Sequence, residues 1–255
     1  MAASHLLAGS ILGLACAALL AWGGVRTWRR AIATGSPPLR AFAVFWLGAA
    51  GYVGADALWG LAWTSRFDEL PFALAILQVK LASVCASFAG LVVYLLVIFS
   101  GSRRLRLPVA GAYLALFLAL EAYYAWRAPF GVHVGFSSLG LDYLRPQPAP
   151  VWDALLLLLF GPPLVATVAY ASLLRVTPGR AARRRVVLTS AALLLFFAPD
   201  LVGWLVGDLW WWDMAERALA FAAGLGILAA TGTAPMRSPR RPTDVAFTAR
   251  ARELI

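Results

Sequence analysis

Residues 71–99 read PFALAILQVKLASVCASFAGLVVYLLVIF. A helix needs about 20 apolar residues to cross the hydrocarbon of a bilayer, so this run is long enough to span with tilt or to protrude. It also contains Lys80, the only lysine among the 22 basic residues of the chain. A charge near the centre of a bilayer costs about 2.5 kcal/mol or more, and it therefore faces a bundle interior and finds a partner. The reading of this run as a spanning helix, and the search for the partner of Lys80, organise the rest of the sequence.

The whole chain supports a lipid-facing fold. It has 255 residues, 62% hydrophobic and 13% charged, with a mean hydropathy of +0.77. Soluble domains carry about 25% charged residues, and a soluble core this apolar would leave large greasy patches facing water. Seven runs are long enough to span: 5–25, 41–64, 71–99, 107–126, 151–174, 186–207 and 214–234. The expected fold is an all-α membrane protein, a seven-transmembrane helix bundle over residues 1–234 with a short basic tail over 235–255. The N-terminal run has no basic residue before it, and Arg26, Arg29 and Arg30 follow it. That polarity reads as a retained first span, not a cleaved signal peptide.

Arginine distribution sets the expected orientation. The segments after spans one, three, five and seven hold 17 arginines, and the alternate segments hold four: Arg66, Arg127, Arg145 and Arg217. By the positive-inside rule the N-terminus lies outside and the C-terminus in the cytoplasm of a prokaryotic inner membrane. The net charge of +10 then reflects orientation and contact with anionic membrane lipids, and no nucleic-acid partner is expected. Cys16 and Cys85 fall inside apolar runs and read as small buried side chains. Residues 127–150, rich in Gly, Pro and Ser, read as an outer loop.

With sidedness set, depth follows at about 1.5 Å per residue. Lys80, Asp56, Asp200 and Glu121 all fall about five to nine residues from the outer ends of their spans. Asp56 is the expected partner of Lys80, because a short outer link makes spans two and three antiparallel neighbours; Asp200 is the second candidate. Steps of three and four residues put Tyr52, Asp56, Trp59 and Trp63 on one face of span two. The same steps align Lys80, Ser83 and Ser87, then Tyr113, Phe117, Glu121 and Tyr124, then Phe196, Asp200, Trp204 and Gly207. Apolar walls with a few oriented polar groups suit an amphipathic ligand. The expected ligand-binding set is Asp56, Lys80, Glu121, Asp200, Tyr52, Trp59, Trp204 and Ser83, with an anionic amphiphile as the natural ligand for Lys80.

Other chemistries fit less well. Seven spans and a lysine bring a retinal Schiff base to mind, but span seven, where microbial rhodopsins carry that lysine, has none; no cofactor is expected. A Ser–Lys dyad would draw both groups from one helix, one turn apart. Two histidines are too few for haem or a zinc hydrolase, and no catalytic residue or metal site is expected. Alternatives to a receptor-like binding protein are a proton-coupled carrier with Asp56, Asp200 and Lys80 as a relay, a lipid-modifying enzyme using Glu121 or Asp200, and an assembly scaffold.

The stretches RAFAVFWLGAAGYVGADALWGL (40–61), LAILQVKLASVCASFAGLVVYLLVIFSGSRR (74–104), FGVHVG (130–135) and RAARRRVVLTSAALLLFFAPDLVGWL (180–205) occur in an order that resembles the seven-helix N-terminal sensor region of bacterial histidine kinases. The likeness covers residues 26–234 and lies in loop lengths, basic inner turns and aromatic-rich spans. It implies sensing of an outside or in-membrane signal. The chain departs from that family in lacking a kinase domain after span seven, so signalling would pass through a cytoplasmic partner or a homo-oligomer.

Overall fold

The computed structural model describes residues 2–64, 70–100, 104–126, 132–133, 142–143, 149–206 and 210–232. The basic tail and most of the 127–150 segment lie outside the described residues. The described residues form seven α-helices: α1 (Ala2–Thr34), α2 (Pro37–Thr64), α3 (Leu70–Leu95), α4 (Arg106–Trp126), α5 (Ala149–Val176), α6 (Arg180–Val206) and α7 (Trp210–Gly232). Between α4 and α5, β1 (Val132–His133) pairs antiparallel with β2 (Asp142–Tyr143), so a minimal ladder sits within the stretch read as loop. Among the described residues, Leu7–Thr34, Pro37–Ala62 and Gln78–Phe99 are each long and apolar enough to cross a membrane. Large apolar side chains on the outer surface fit that solvent: Leu107 is 85% exposed and Leu164, Val165 and Val168 are also exposed.

The helix ends follow from local chemistry. The segment 26–40 is not the loop expected from its arginines; α1 continues through Arg26, Arg29 and Arg30 because no breaker intervenes before Gly35. Gly35 adopts φ 63°, which only glycine enters without a Cβ penalty. Its N–H donates to Ile32 O at 3.2 Å, and the Ser36 N–H donates to Ala31 O at 3.0 Å. This is the Schellman closure. Pro37, with its pre-set φ, opens α2 at once. The turn between α5 and α6 also holds a glycine in the left-handed region, Gly179 at φ 84°. There both the N–H and Oγ1 of Thr177 donate to Leu173 O, at 2.9 and 2.6 Å. At its C-terminal end α3 widens into a π-helical segment, Leu96–Ser100.

Small residues set how closely the helices pack. A Cβ on Gly48 of α2 would fall 2.6 Å from Ser83 O and 2.7 Å from Ser87 N of α3. A Cβ on Gly90 of α3 would fall 2.7 Å from both Ala41 O and Phe45 N of α2. Backbones meet this closely only where side chains are missing. On the other side of α2, Gly54 faces Ala17 and Gly24 faces Leu47, so α1 and α2 run antiparallel. α7 returns to α1, with Gly224 against Leu19 and Gly23 against Ile227; these contacts advance together along both chains, so α1 and α7 are parallel. α6 packs on α7, α5 on α6 and α3, and α4 on α3.

Aromatic rings fill one half of the interior. Phe42, Phe45, Trp46, Phe88, Tyr94, Phe196 and Phe197 form one buried cluster. Phe42 stacks on Tyr94 with centroids 4.6 Å apart, and Phe45 meets Trp46 edge-on at 4.5 Å. The hydroxyls of Tyr94 and Tyr170 hydrogen-bond to each other, joining α3 to α5. Phe196 belongs to this core, although its spacing from Asp200 pointed to the ligand face.

Candidate functional site

Toward the α2–α3 link the α2–α3 seam is built differently. Beyond Gly51, α2 carries Tyr52, Asp56 and Trp59, and α3 presents Lys80. Lys80 Nζ lies 2.7 Å from Asp56 Oδ1, with the two side chains 16% and 15% exposed. The ammonium also sits over the Tyr52 ring, 4.9 Å from its centroid, a cation–π distance. Tyr52 and Asp56 are one turn apart on α2, so one helix supplies both the carboxylate and the ring face. Trp59, 2% exposed, stacks on Phe72 of α3 at 6.4 Å between centroids. That aromatic pair joins α2 to α3 between the ion pair and the α2–α3 link in sequence.

Ser83 and Ser87 share the Lys80 face of α3, but they pack against α2. Ser83 Oγ lies where a Cβ on Gly51 would be. Ser87 Oγ donates to Phe45 O at 2.9 Å and is buried. The side chains of Glu121, Asp200 and Trp204 lie outside the described residues, and so do those of Trp63, Phe117 and Tyr124; their backbones belong to α2, α4 and α6. The residue before Asp200, Pro199, is followed more closely: its carbonyl accepts a hydrogen bond from Trp212 Nε1 of α7 at 3.2 Å. Tyr113 is half-buried against the core.

Compared with known proteins, the chain matches no family model, no curated protein and no solved structure. The site has to be read from its own chemistry.

One group that the sequence reading counted with the outer segments belongs to the bundle. Arg217 lies within α7, about two turns from its start. Its guanidinium Nη1 occupies the notch left by Gly13 of α1, where a Cβ would collide with it. That same Cβ position lies 3.0 Å from the Cβ of Ala57, the residue after Asp56. Cys16, one turn along α1 from Gly13, is fully buried. Lys80 is therefore not the only cation within the helices at this level. The missed signal was the pair Gly13 and Arg217: a glycine in one apolar helix leaving space for a long cation from another.

The arrangement has a definite chemical character. The Lys80–Asp56 pair is internally neutral, short and mostly shielded, so neither partner is a free charge. Removing one partner of a shielded ion pair of this kind is costly, because it leaves the other charge uncompensated. The Tyr52 ring lies against its ammonium, and Trp59 and Phe72 stack on each other between the same two helices.

Proposed function

We propose that the chain is a receptor-like integral membrane protein that binds a small amphiphilic molecule in the outer half of a seven-span bundle. The observation that carries this reading is the Lys80–Asp56 pair, held at 2.7 Å with the Lys80 ammonium over the Tyr52 ring. Intramembrane ionisable groups mark functional sites by default, and oriented charge among aromatic walls is how a pocket recognises a molecule with one polar end. Seven spans are supported by helices of 21 to 33 residues in all seven elements. The 17-to-4 arginine division supports an outside N-terminus and a prokaryotic inner membrane.

In this reading the ligand's polar end competes with Asp56 for Lys80 and loosens the α2–α3 seam. The close-packed seam at Gly48 and Gly90 passes the change to Phe45 and Trp46. Their contacts with Phe197 and Phe196, at 5.9 and 6.1 Å between centroids, pass it to α6, whose first turns carry Arg180, Arg183, Arg184 and Arg185. A cytoplasmic partner or a second copy would read that end. The test is thermal unfolding of purified wild type and Lys80→Ala with oleate, dodecyl phosphate, dodecylamine and monoolein. A ligand that raises the Tm of wild type and not of Lys80→Ala supports the reading. Equal shifts in both remove Lys80 from the site, and no shift with any of the four removes the binding function.

A further inference from the structure

We propose that the arginine-rich end of the bundle is a binding surface for anionic phospholipid, whose phosphate supplies the negative charge that the chain does not place at the start of α6. The proposal rests on the chain being a membrane protein and is independent of any ligand at Lys80.

Packing gathers the arginines at one end. Gly90 of α3 lies against Ala41 and Phe45 of α2, so α3 finishes and α4 starts beside the start of α2. Gly23 of α1 lies against Ile227 of α7, and Gly226 of α7 against Ala192 and Leu188 O of α6. The α5–α6 turn therefore stands at the same end as the α1–α2 turn. Around the α1–α2 turn Arg26, Arg29, Arg30 and Arg40 are exposed. Residues 175–185 hold five arginines, and Arg180, Arg183 and Arg184 are exposed in the first two turns of α6. Arg104, just before α4, is exposed as well.

The chain supplies no acid to match them. Asp and Glu are absent from residues 1–55, 70–120, 154–199 and 217–243, which include every described residue at this end. The tail over 235–255 adds five arginines against two acids. Helix direction sharpens the imbalance. α2, α4 and α6 all begin here with no acidic residue in the first turn, and the positive end of a helix dipole disfavours cations. The arginines that open α6 thus repel one another and oppose the dipole of their own helix.

What lies between the arginines identifies the occupant. Trp28 and Ile32 on α1, Leu105 and Leu107 at the start of α4, and Val187 on α6 are exposed apolar side chains within about a turn of exposed arginines. A phospholipid covers both kinds of group. Its phosphate meets the guanidinium through paired N–H donors, and its acyl chains lie on the apolar side chains. An acidic soluble segment would answer the charge and leave the apolar groups in water. Lipids approach from around the bundle, so the end face stays open to a partner.

The experiment uses the full chain, without added amphiphile, in nanodiscs of phosphatidylcholine with or without phosphatidylglycerol. Lipid retained after extraction into a neutral detergent is counted by mass spectrometry, and Tm is measured in both discs. Retained lipid is expected to be enriched in phosphatidylglycerol at least about fivefold over the disc, the preference of one basic residue near an anionic surface. Wild type is expected to have the higher Tm where phosphatidylglycerol is present. Arg180→Gln/Arg183→Gln/Arg184→Gln is expected to lose most of both effects. In phosphatidylcholine alone the same variant is expected to unfold at the same or a higher temperature than wild type, because the repulsion at α6 is relieved. A lower Tm there would mean that the chain itself neutralises these arginines, and would overturn the proposal. So would an absence of enrichment, or an enrichment that the triple variant retains. Polyglutamate raising the Tm in phosphatidylcholine as much as phosphatidylglycerol does would assign the surface to an acidic polypeptide instead.

Discussion

The α2–α3 seam changes character along its length. Between Ala41 and Gly51 on α2 and between Ser83 and Gly90 on α3, the missing side chains of Gly48 and Gly90 let backbone meet backbone, beside the buried rings of Phe42, Phe45 and Trp46. From Tyr52 to Trp59 and from Phe72 to Lys80, the seam is made of long side chains that meet each other instead. The first half has one low-energy packing, because backbone collisions leave nothing to rearrange. The second is held by side-chain tips, which can exchange partners without moving the helices far.

The largest effect is expected where one partner of a shielded pair is removed. Lys80→Met leaves the Asp56 carboxylate without its cation, at a cost of about 3–5 kcal/mol. The double variant Lys80→Met/Asp56→Asn is expected to recover most of that. Chemical or thermal unfolding in a fixed detergent reads both. A single variant as stable as wild type would show that the pair is not what organises this half of the seam.

Next in size is the close-packed half. Gly48→Ala puts a Cβ within 2.6–2.8 Å of backbone atoms of Ser83 and Ser87. Backbone cannot swing aside, so about 1–3 kcal/mol is expected to be lost. Gly111→Ala, with nothing within 4 Å of the added carbon, serves as the control and is expected to be neutral or slightly stabilising, since alanine favours helix. Equal behaviour of the two would erase the distinction between the halves of the seam.

How much of this was legible in the sequence differs by feature. The helices were readable from apolar run length, because a span must satisfy its backbone internally and so leaves an unbroken signature. Asp56 with Lys80 was readable too, since a short link makes α2 and α3 antiparallel neighbours and depth then matches the two residues. The end of α1 is not legible from its arginines, which mark loops and helix ends alike; the chain stays helical until Gly35 supplies a left-handed residue. Arg217 was missed for a related reason. Next to Glu216, near the start of span seven, it reads as an interface charge, and only the register fixed by Gly23 and Gly224 brings it level with Lys80. The Tyr94–Tyr170 contact joins residues 76 apart, on α3 and α5, which no local pattern connects.

That tyrosine pair gives a polar contact inside the aromatic half. Tyr94→Phe leaves the Tyr170 hydroxyl buried and without its partner, and is expected to cost about 1–2 kcal/mol. Tyr94→Phe/Tyr170→Phe is expected to approach wild-type stability, because two apolar groups of the same shape replace a satisfied pair. A double variant as unstable as the sum of its singles would mean that each hydroxyl has a separate role.

Ser87 gives the smallest and most discriminating comparison, because its face of α3 includes Lys80 while its hydroxyl bonds Phe45 O in the aromatic half. That carbonyl lies inside α2, where the helix already satisfies it, so the serine adds a second, weaker bond. Hydrogen bonds between helices of membrane proteins average about 0.6 kcal/mol, and Ser87→Ala is expected to cost about that. If Ser87 belonged to the ligand site, the same variant would change amphiphile affinity without changing stability. If it belongs to the seam, stability falls slightly and affinity for oleate stays as in wild type. Measuring both on one preparation therefore tells whether Ser87 acts with the close-packed half of the seam or with the half that carries Lys80, two turns away.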